Sequence, residues 1–322
     1  MTAKMSTKSY RCLQDYSLES IEKVRDKFSE EVQRDPSQFE PEDVLLVESD
    51  EWTVCRFLFI HQGVIEAAAR NLIDAMKWRR EKGFLRTPLN FFPNEYFRLG
   101  VLFPYENDVD GNPTIYCRGK FLKSVPELKE TTEDFSSLNF YQVDSISQGK
   151  GWTFIIDADG AGINNADLSM LQYLVSTLKT YFPGGLNHLL IIDCPWILKA
   201  FWSLVKNWVP SHRREMVKFV SRKELYKFIP LENMPDFLGG NCTRKYRGWR
   251  VVPEGAPSGV DFVAERYPRE NAQEIFDKLF AEYKSFIDEE DELPVDENGN
   301  ETDATNGCDR ELFATHSATE VN

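Results

Sequence analysis

Histidine is scarce in this chain of 322 residues: it has four, against 38 lysines and arginines and 52 aspartates and glutamates. The six cysteines (Cys12, Cys55, Cys117, Cys194, Cys242 and Cys308) are scattered and form no Cys-x-x-Cys pair. Such spacing offers no zinc constellation, so neither a metal nor a cofactor is expected. Positive charge is also short. A formal net charge of −14 and a pI near 4.9 exclude nucleic acid as a general partner, because phosphate binding needs a basic footprint. Long hydrophobic runs are missing too: no stretch approaches the roughly 18 uninterrupted apolar residues of a membrane span. Met1-Thr2-Ala3-Lys4-Met5-Ser6 lacks the apolar core of a signal peptide. These absences point to the cytosol with reduced thiols, where the sequons at Asn241 and Asn300 are chance matches.

What is present is apolar and aromatic. Hydrophobic residues make up 42% and aromatic residues 13%, ample for a sizeable core. The most unusual stretch is residues 195–209, opened by Pro195, which suits the first turn of a helix. At about 100° per residue, Lys199, Ser203, Lys206 and Asn207 share one narrow polar arc. Apolar residues fill the remaining arc of about 200°, twice what an ordinary surface helix needs. Such a helix is buried on most sides, walls an apolar cavity, or meets a membrane.

Its neighbours are short apolar runs ending in aspartate, Trp152 to Asp157 and Leu189 to Asp193, which predict strands buried on both faces. Between them Leu168, Leu171, Leu174, Val175 and Leu178 recur at helical spacing, with Asn165 or Asp167 as cap. Strand, helix, strand predicts a parallel crossover. Lys218-Phe219-Val220 is a third strand, and Glu224 to Ile229 a helix stopped by Pro230.

The order of Ile155-Ile156-Asp157-Ala158-Asp159-Gly160, Tyr181-Phe182-Pro183, Asp193-Cys194-Pro195-Trp196, Lys218-Phe219-Val220 and Leu231-Glu232-Asn233-Met234-Pro235 through Gly239-Gly240 resembles the CRAL-TRIO (Sec14-like) lipid-binding domain. Within that family, residues 193–197 and 205–208 are most similar to the N-terminal half of motile sperm domain-containing proteins. The resemblance implies an α/β fold: an N-terminal helical module (15–90), then a mixed, largely parallel sheet flanked by helices (91–250). A linker and C-terminal helix (251–287) and an acidic disordered tail (288–322) complete the expected domains. It also implies that helix 195–209 is a mobile gate over an apolar pocket. Lining residues are expected from one face of each central strand and from the gate: Tyr116, Phe154, Ile156, Leu190, Ile192, Phe201, Leu204, Val205 and Trp208. Membrane or headgroup contact is expected from Trp202, Lys206, Arg213, Arg214 and Lys218. Phosphatidylinositol-binding relatives carry glutamate after the Tyr-x-Pro motif, where this chain has Gly184, which argues against that ligand.

The flanks supply further expectations. Leu18, Ile21, Val24 and Phe28 mark an amphipathic helix; helices follow over 52–60 and from Gly63 to Gly83. Val101 to Phe103 and Thr114 to Cys117 flank an acidic hairpin loop whose calcium spacing fails at Cys117 and Pro113. Residues 244–250 form a basic-aromatic patch, either a loop pinned by Tyr246 and Trp249 or a surface for anionic headgroups. Ala272, Ile275, Phe276, Leu279 and Phe280 predict a last helix, and the acidic tail could recruit a protein partner through its start at Phe286.

Catalytic readings are weaker. Asp157-Ala158-Asp159-Gly160 resembles the opening of haloacid-dehalogenase-type phosphatases, but Ala161-Gly162 follow and no distal acidic pair appears. The sequence therefore predicts a non-enzyme: a cytoplasmic carrier of a hydrophobic lipid or lipophilic small molecule that touches membrane surfaces transiently. The competing non-enzyme reading is an adaptor with a vestigial pocket.

Overall fold

The structure, a computed structural model, describes residues 16–209 and 211–288. The acidic tail beyond Asp288 lies outside the described residues.

The N-terminal module packs four helices: α1 (Leu18–Arg34), α2 (Pro41–Ser49), α3 (Glu51–Ile60) and α4 (Ile65–Lys82). Ser17 and Asp50 accept hydrogen bonds from the first-turn N–H groups of α1 and α3, satisfying donors that have no helical partner. Gly83 ends α4 at φ 67°, a left-handed cap that glycine adopts without a Cβ penalty. Ile21, Val24 and Phe28 of α1 are buried with Phe57, Leu58, Leu72 and Met76 in a core of the module's own.

After the short α5 (Asn94–Leu99) come β1 (Leu102–Tyr105) and β2 (Thr114–Arg118), an antiparallel hairpin. Its loop is held by Asp108, whose carboxylate accepts from the N–H groups of Asp110 and Asn112, the Asn112 amide and the Thr153 hydroxyl. That acid holds the turn together. The remaining strands, β3 (Trp152–Asp157), β4 (Leu186–Ile192) and β5 (Val217–Val220), lie parallel to β2, giving the sheet order β1-β2-β3-β4-β5.

Between β2 and β3 runs α6 (Lys129–Ser147), which the sequence pattern does not announce. Its buried face includes Ser136, Ser137 and Asn139; Ser136 and Asn139 bond carbonyls four residues earlier, and Ser137 bonds the Tyr173 hydroxyl. Self-satisfied polar groups let a polar sequence sit inside a core. The crossover helix α7 (Leu168–Thr180) starts as expected, with Asp167 as cap. Next, α8 (Trp196–Val205) is shorter than the expected 195–209, which leaves Trp208 in the turn beyond it. The reason is visible at its end: the Arg214 guanidinium donates to the Lys206 and Val209 carbonyls, satisfying acceptors at the helix terminus and in the turn. The helix expected over 224–229 is a 3-10 turn over Arg222–Lys227, because a short run ending before Pro230 favours the tighter form.

Three C-terminal helices, α9 (Gly259–Ala264), α10 (Arg269–Phe280) and α11 (Lys284–Asp288), return to the sheet and share its main core through Phe262, Ile275, Leu279 and Phe280.

Candidate functional site

Strand register decides which side chains can share a wall. Tyr116 pairs with Ile155 and Ile155 with Leu190, so these three point to one face; Cys117, Ile156 and Ile191 point to the other. Alternation then puts Phe154 with Ile156 and puts Ile192 with Leu190. The expected lining set is therefore split. Phe154 and Ile156 face α6 and α7, whereas Tyr116, Leu190 and Ile192 lie in a separate core under residues 225–246. A single wall holding all five would need a one-residue shift in part of the sheet, which the register excludes.

The face with Phe154 is hollow. A cavity of about 140 Å³ is bounded by Cys117 and Phe154 from the strands, Phe135 and Phe140 from α6, and Leu171 and Leu174 from α7. Its end wall is Leu279 and Phe280 of α10. Apolar though α7 is, its only buried residue is Thr177, and its Leu171 and Leu174 line the cavity while half-buried. Ile156 and Leu189 on the same sheet face are also only partly buried.

Polar groups inside the hollow have their hydrogen bonds made. Thr132 donates to the Leu128 carbonyl, Ser136 donates to the Thr132 carbonyl, and Asn165 bonds the carbonyls of Lys120 and Leu122. An apolar cavity without free polar partners suits an apolar guest. Burial, with the charge of Asp157 adding to it, pushes the Cys117 thiol up to about 12, so it stays protonated and unreactive.

The expected gate lies over this face. Trp202 rests edge-on against Phe219 at 5.9 Å, and Phe219 shares its face with Ile191 and Ile156 through the strand pairing. The side chains of Phe201, Leu204, Val205 and Arg213 lie outside the described set. Lys206 and Trp208 are half-buried and Arg214 is exposed. Lys218 points to the opposite face, its ammonium 5.0 Å from the Phe228 ring centroid. Sequence reasoning did not single out Trp196, the first residue of α8, which is 82% exposed.

Gly184 lies beside Trp52 and Arg56. A side chain there would start 3.4 Å from the Trp52 ring, at a φ of +72°. Behind it Arg56 of α3 forms a fork with Asp144 at 2.7 and 2.9 Å and donates to the Pro183 carbonyl at 2.5 Å.

The phosphatase-like pair Asp157 and Asp159 meets an arginine. Arg222 lies 3.4 and 3.2 Å from them and bonds Asp193 as well, tying the ends of β3 and β4 together. Burial is the main reason the Asp157 carboxyl lies above its usual range. The basic patch is likewise engaged: Arg247 stacks 3.4 Å from the Phe286 ring centroid and Arg244 pairs with Glu106, leaving Lys245 and Arg250 exposed. Phe286, the start of the expected partner-binding tract, thus packs against the body of the protein.

Together these features define an α/β protein whose mixed, largely parallel sheet floors an apolar slot. Residues 97–240 match the CRAL/TRIO domain. The chain is 26% identical over 234 residues to Protein real-time of Aedes aegypti, covering 64% of this chain and 35% of that protein. It is 23% identical over 215 residues to Sec14 cytosolic factor of Schizosaccharomyces pombe, covering 60% of this chain and 75% of that protein. To the phosphatidylinositol/phosphatidylcholine transfer protein SFH11 of Arabidopsis thaliana it is 24% identical over 233 residues, 65% of this chain and 61% of that protein. The crystal structure of Sfh5 superposes with a TM-score of 0.49 at 15% identity, over 66% of this chain and 83% of that one. Residues 97–240 are thus a CRAL/TRIO domain, and the chain is similar over its middle part to Sec14-like proteins. It spans about a third of the length of the real-time proteins. These relatives do not bear on the finer likeness to motile sperm domain-containing proteins. Among the described residues no helix is long and apolar enough to cross a membrane.

Proposed function

We propose that this protein binds a hydrophobic lipid in the slot between the sheet and α6–α7, and transfers or presents it at membranes. The observation that carries the reading is the half-buried apolar face of α7 beside Cys117 and Phe154. A plain core would close such a gap, since each unfilled contact forfeits dispersion energy. Burying acyl methylenes there gains about 0.8 kcal/mol each, so every part of a chain that the slot takes up adds to affinity. In this reading α8 is the gate, and Trp196, Trp202, Lys206 and Arg214 meet the bilayer when it opens. Relatives named for Sec14 function and for phosphatidylinositol/phosphatidylcholine transfer support the class of ligand. No covalent step is proposed.

The test is native mass spectrometry of the full chain purified from eukaryotic cells, followed by lipid extraction. A stoichiometric lipid is expected, and its release on denaturation. Protein that carries none, and takes up none from liposomes, overturns the reading.

A further inference from the structure

The rim of the slot is unlike its interior. Lys123, Ser124, Lys129, Asn165 and Asp167 line it, where the loop after β2 meets the starts of α6 and α7. Their hydrogen-bonding capacity is unequal. Asn165 is committed on both sides, accepting from the Gly162 N–H at 2.8 Å and donating to two loop carbonyls. Asp167 accepts from the N–H groups of Ser169 and Met170 at 2.8 and 3.1 Å and from the Ser169 hydroxyl at 2.8 Å, so its charge serves the start of α7. Burial opposes that charge, but the bonds from Met170, Ser124 and Ser169 outweigh it and hold the carboxyl below its usual range.

The two lysines differ. Each ammonium has three donors, and each is paired with one acid: Lys123 with Glu282 at 3.3 Å, Lys129 with Glu133 at 3.8 Å. Lys129 is also the first residue of α6, whose N-cap Leu128 supplies no side-chain bond. The positive end of a 19-residue helix therefore lies at the same rim. Inward of the lysines the wall is apolar, and the enclosed volume of about 140 Å³ is close to that of a cavity that takes one small hydrocarbon. This is room for one chain segment rather than two side by side.

We infer that the guest of this slot is an amphiphile with one acyl chain and an anionic head, a carboxylate or a phosphate, held at the rim by Lys123 and Lys129. The inference rests on the carrier reading and narrows it. The head replaces part of the loose pairing to Glu282 and Glu133 with a charge-assisted bond, while the head-proximal segment of the chain fills the slot between Phe154 and Leu174 and the remainder leaves through its open side.

The experiment measures equilibrium binding of radiolabelled oleate, methyl oleate and oleoyl lysophosphatidic acid to the lipid-free full chain. Oleate or the lysophosphatidate should bind about tenfold more tightly than the ester, the margin a charge-assisted hydrogen bond gives. In Lys123→Gln/Lys129→Gln the acid should fall to the affinity of the ester, with the ester unchanged. Asp167→Asn, which keeps a good capping residue, should shift the acid the opposite way. Whichever anion gains most from the lysines identifies the source of the head, fatty acid or phospholipid. Equal binding of acid and ester, or a preference that survives the double substitution, overturns the anionic-head inference and leaves the carrier reading standing. Failure of all three probes to bind, in protein that also leaves liposomes unloaded, overturns both.

Discussion

Two side chains show how much rests on single residues. Arg56 is buried between modules, and its fork on Asp144 also brings in Trp152, whose indole N–H donates to the same carboxylate at 3.2 Å. Removing one member of a buried pair leaves the other charge stranded, at a cost of about 3–5 kcal/mol. Arg56→Ala should lower the free energy of urea unfolding by that order, and a loss under about 1 kcal/mol would show that the pair does not hold the modules. Glu95 makes the opposite case. Burial raises its pKa above the ordinary 4.5, against the opposing bonds from its own N–H and that of Gly259 and the charge of Arg98. The folded state thus holds this proton more tightly than the unfolded chain. The resulting stability is full below the unfolded pKa and is lost as pH rises through the folded one. Glu95→Gln, which can still accept from Gly259, should be flatter than the parent as pH rises above the ordinary 4.5 and more stable once Glu95 has ionised, measured by urea midpoints.

At the scale of elements, α10 is the sharpest test of the slot. Phe280 lies tilted against Phe276 at 5.0 Å and lines the cavity beside Leu279. Phe280→Ala should cost about 3–5 kcal/mol and lengthen the slot. Lipid extracted from the variant should then shift to longer chains, and an unchanged profile would remove α10 from the binding site. Elements were unequally legible in the sequence. Helices α1, α3, α4 and α7 and strands β3 to β5 could be read because their apolar spacing matches a period, and Gly83 and Asp167 mark ends. The hairpin announced itself through its loop. Helix α6 did not, since Ser136, Ser137 and Asn139 look like surface residues until their hydroxyls and amide are seen to bond inward. Among the described residues of the expected wall, Phe154 alone lies among those bounding the cavity. Alternation within a strand is easy to read, but which alternate set faces the cavity depends on register between strands, and that is set by partners far away in sequence. Leu171 and Leu174 were visible as a helical stripe, though nothing local says that the stripe borders a void.

For the whole molecule, a net charge of −14 repels anionic membrane, so membrane contact by the proposed carrier would be local and led by apolar groups. Trp196 stands out at the start of α8, with exposed Ile163 and Leu168 on the connection after the neighbouring strand. Parallel strands place both connections at one end of the sheet. Trp196→Ala should weaken binding to neutral liposomes about tenfold in a flotation assay, with little change in unfolding free energy, because the ring touches water in the free protein. A variant that floats as well as the parent would place membrane contact elsewhere.

The wall supplied by α10 has a consequence for what counts as the domain. The CRAL/TRIO domain match runs from 97 to 240, yet Leu279 and Phe280 line the slot from well beyond it. The matched domain and the slot therefore have different boundaries in this chain. Two relatives with the same shared stretch and different C-terminal extensions would own vessels of different depth, so chain-length preference could diverge while every strand of the floor stayed the same.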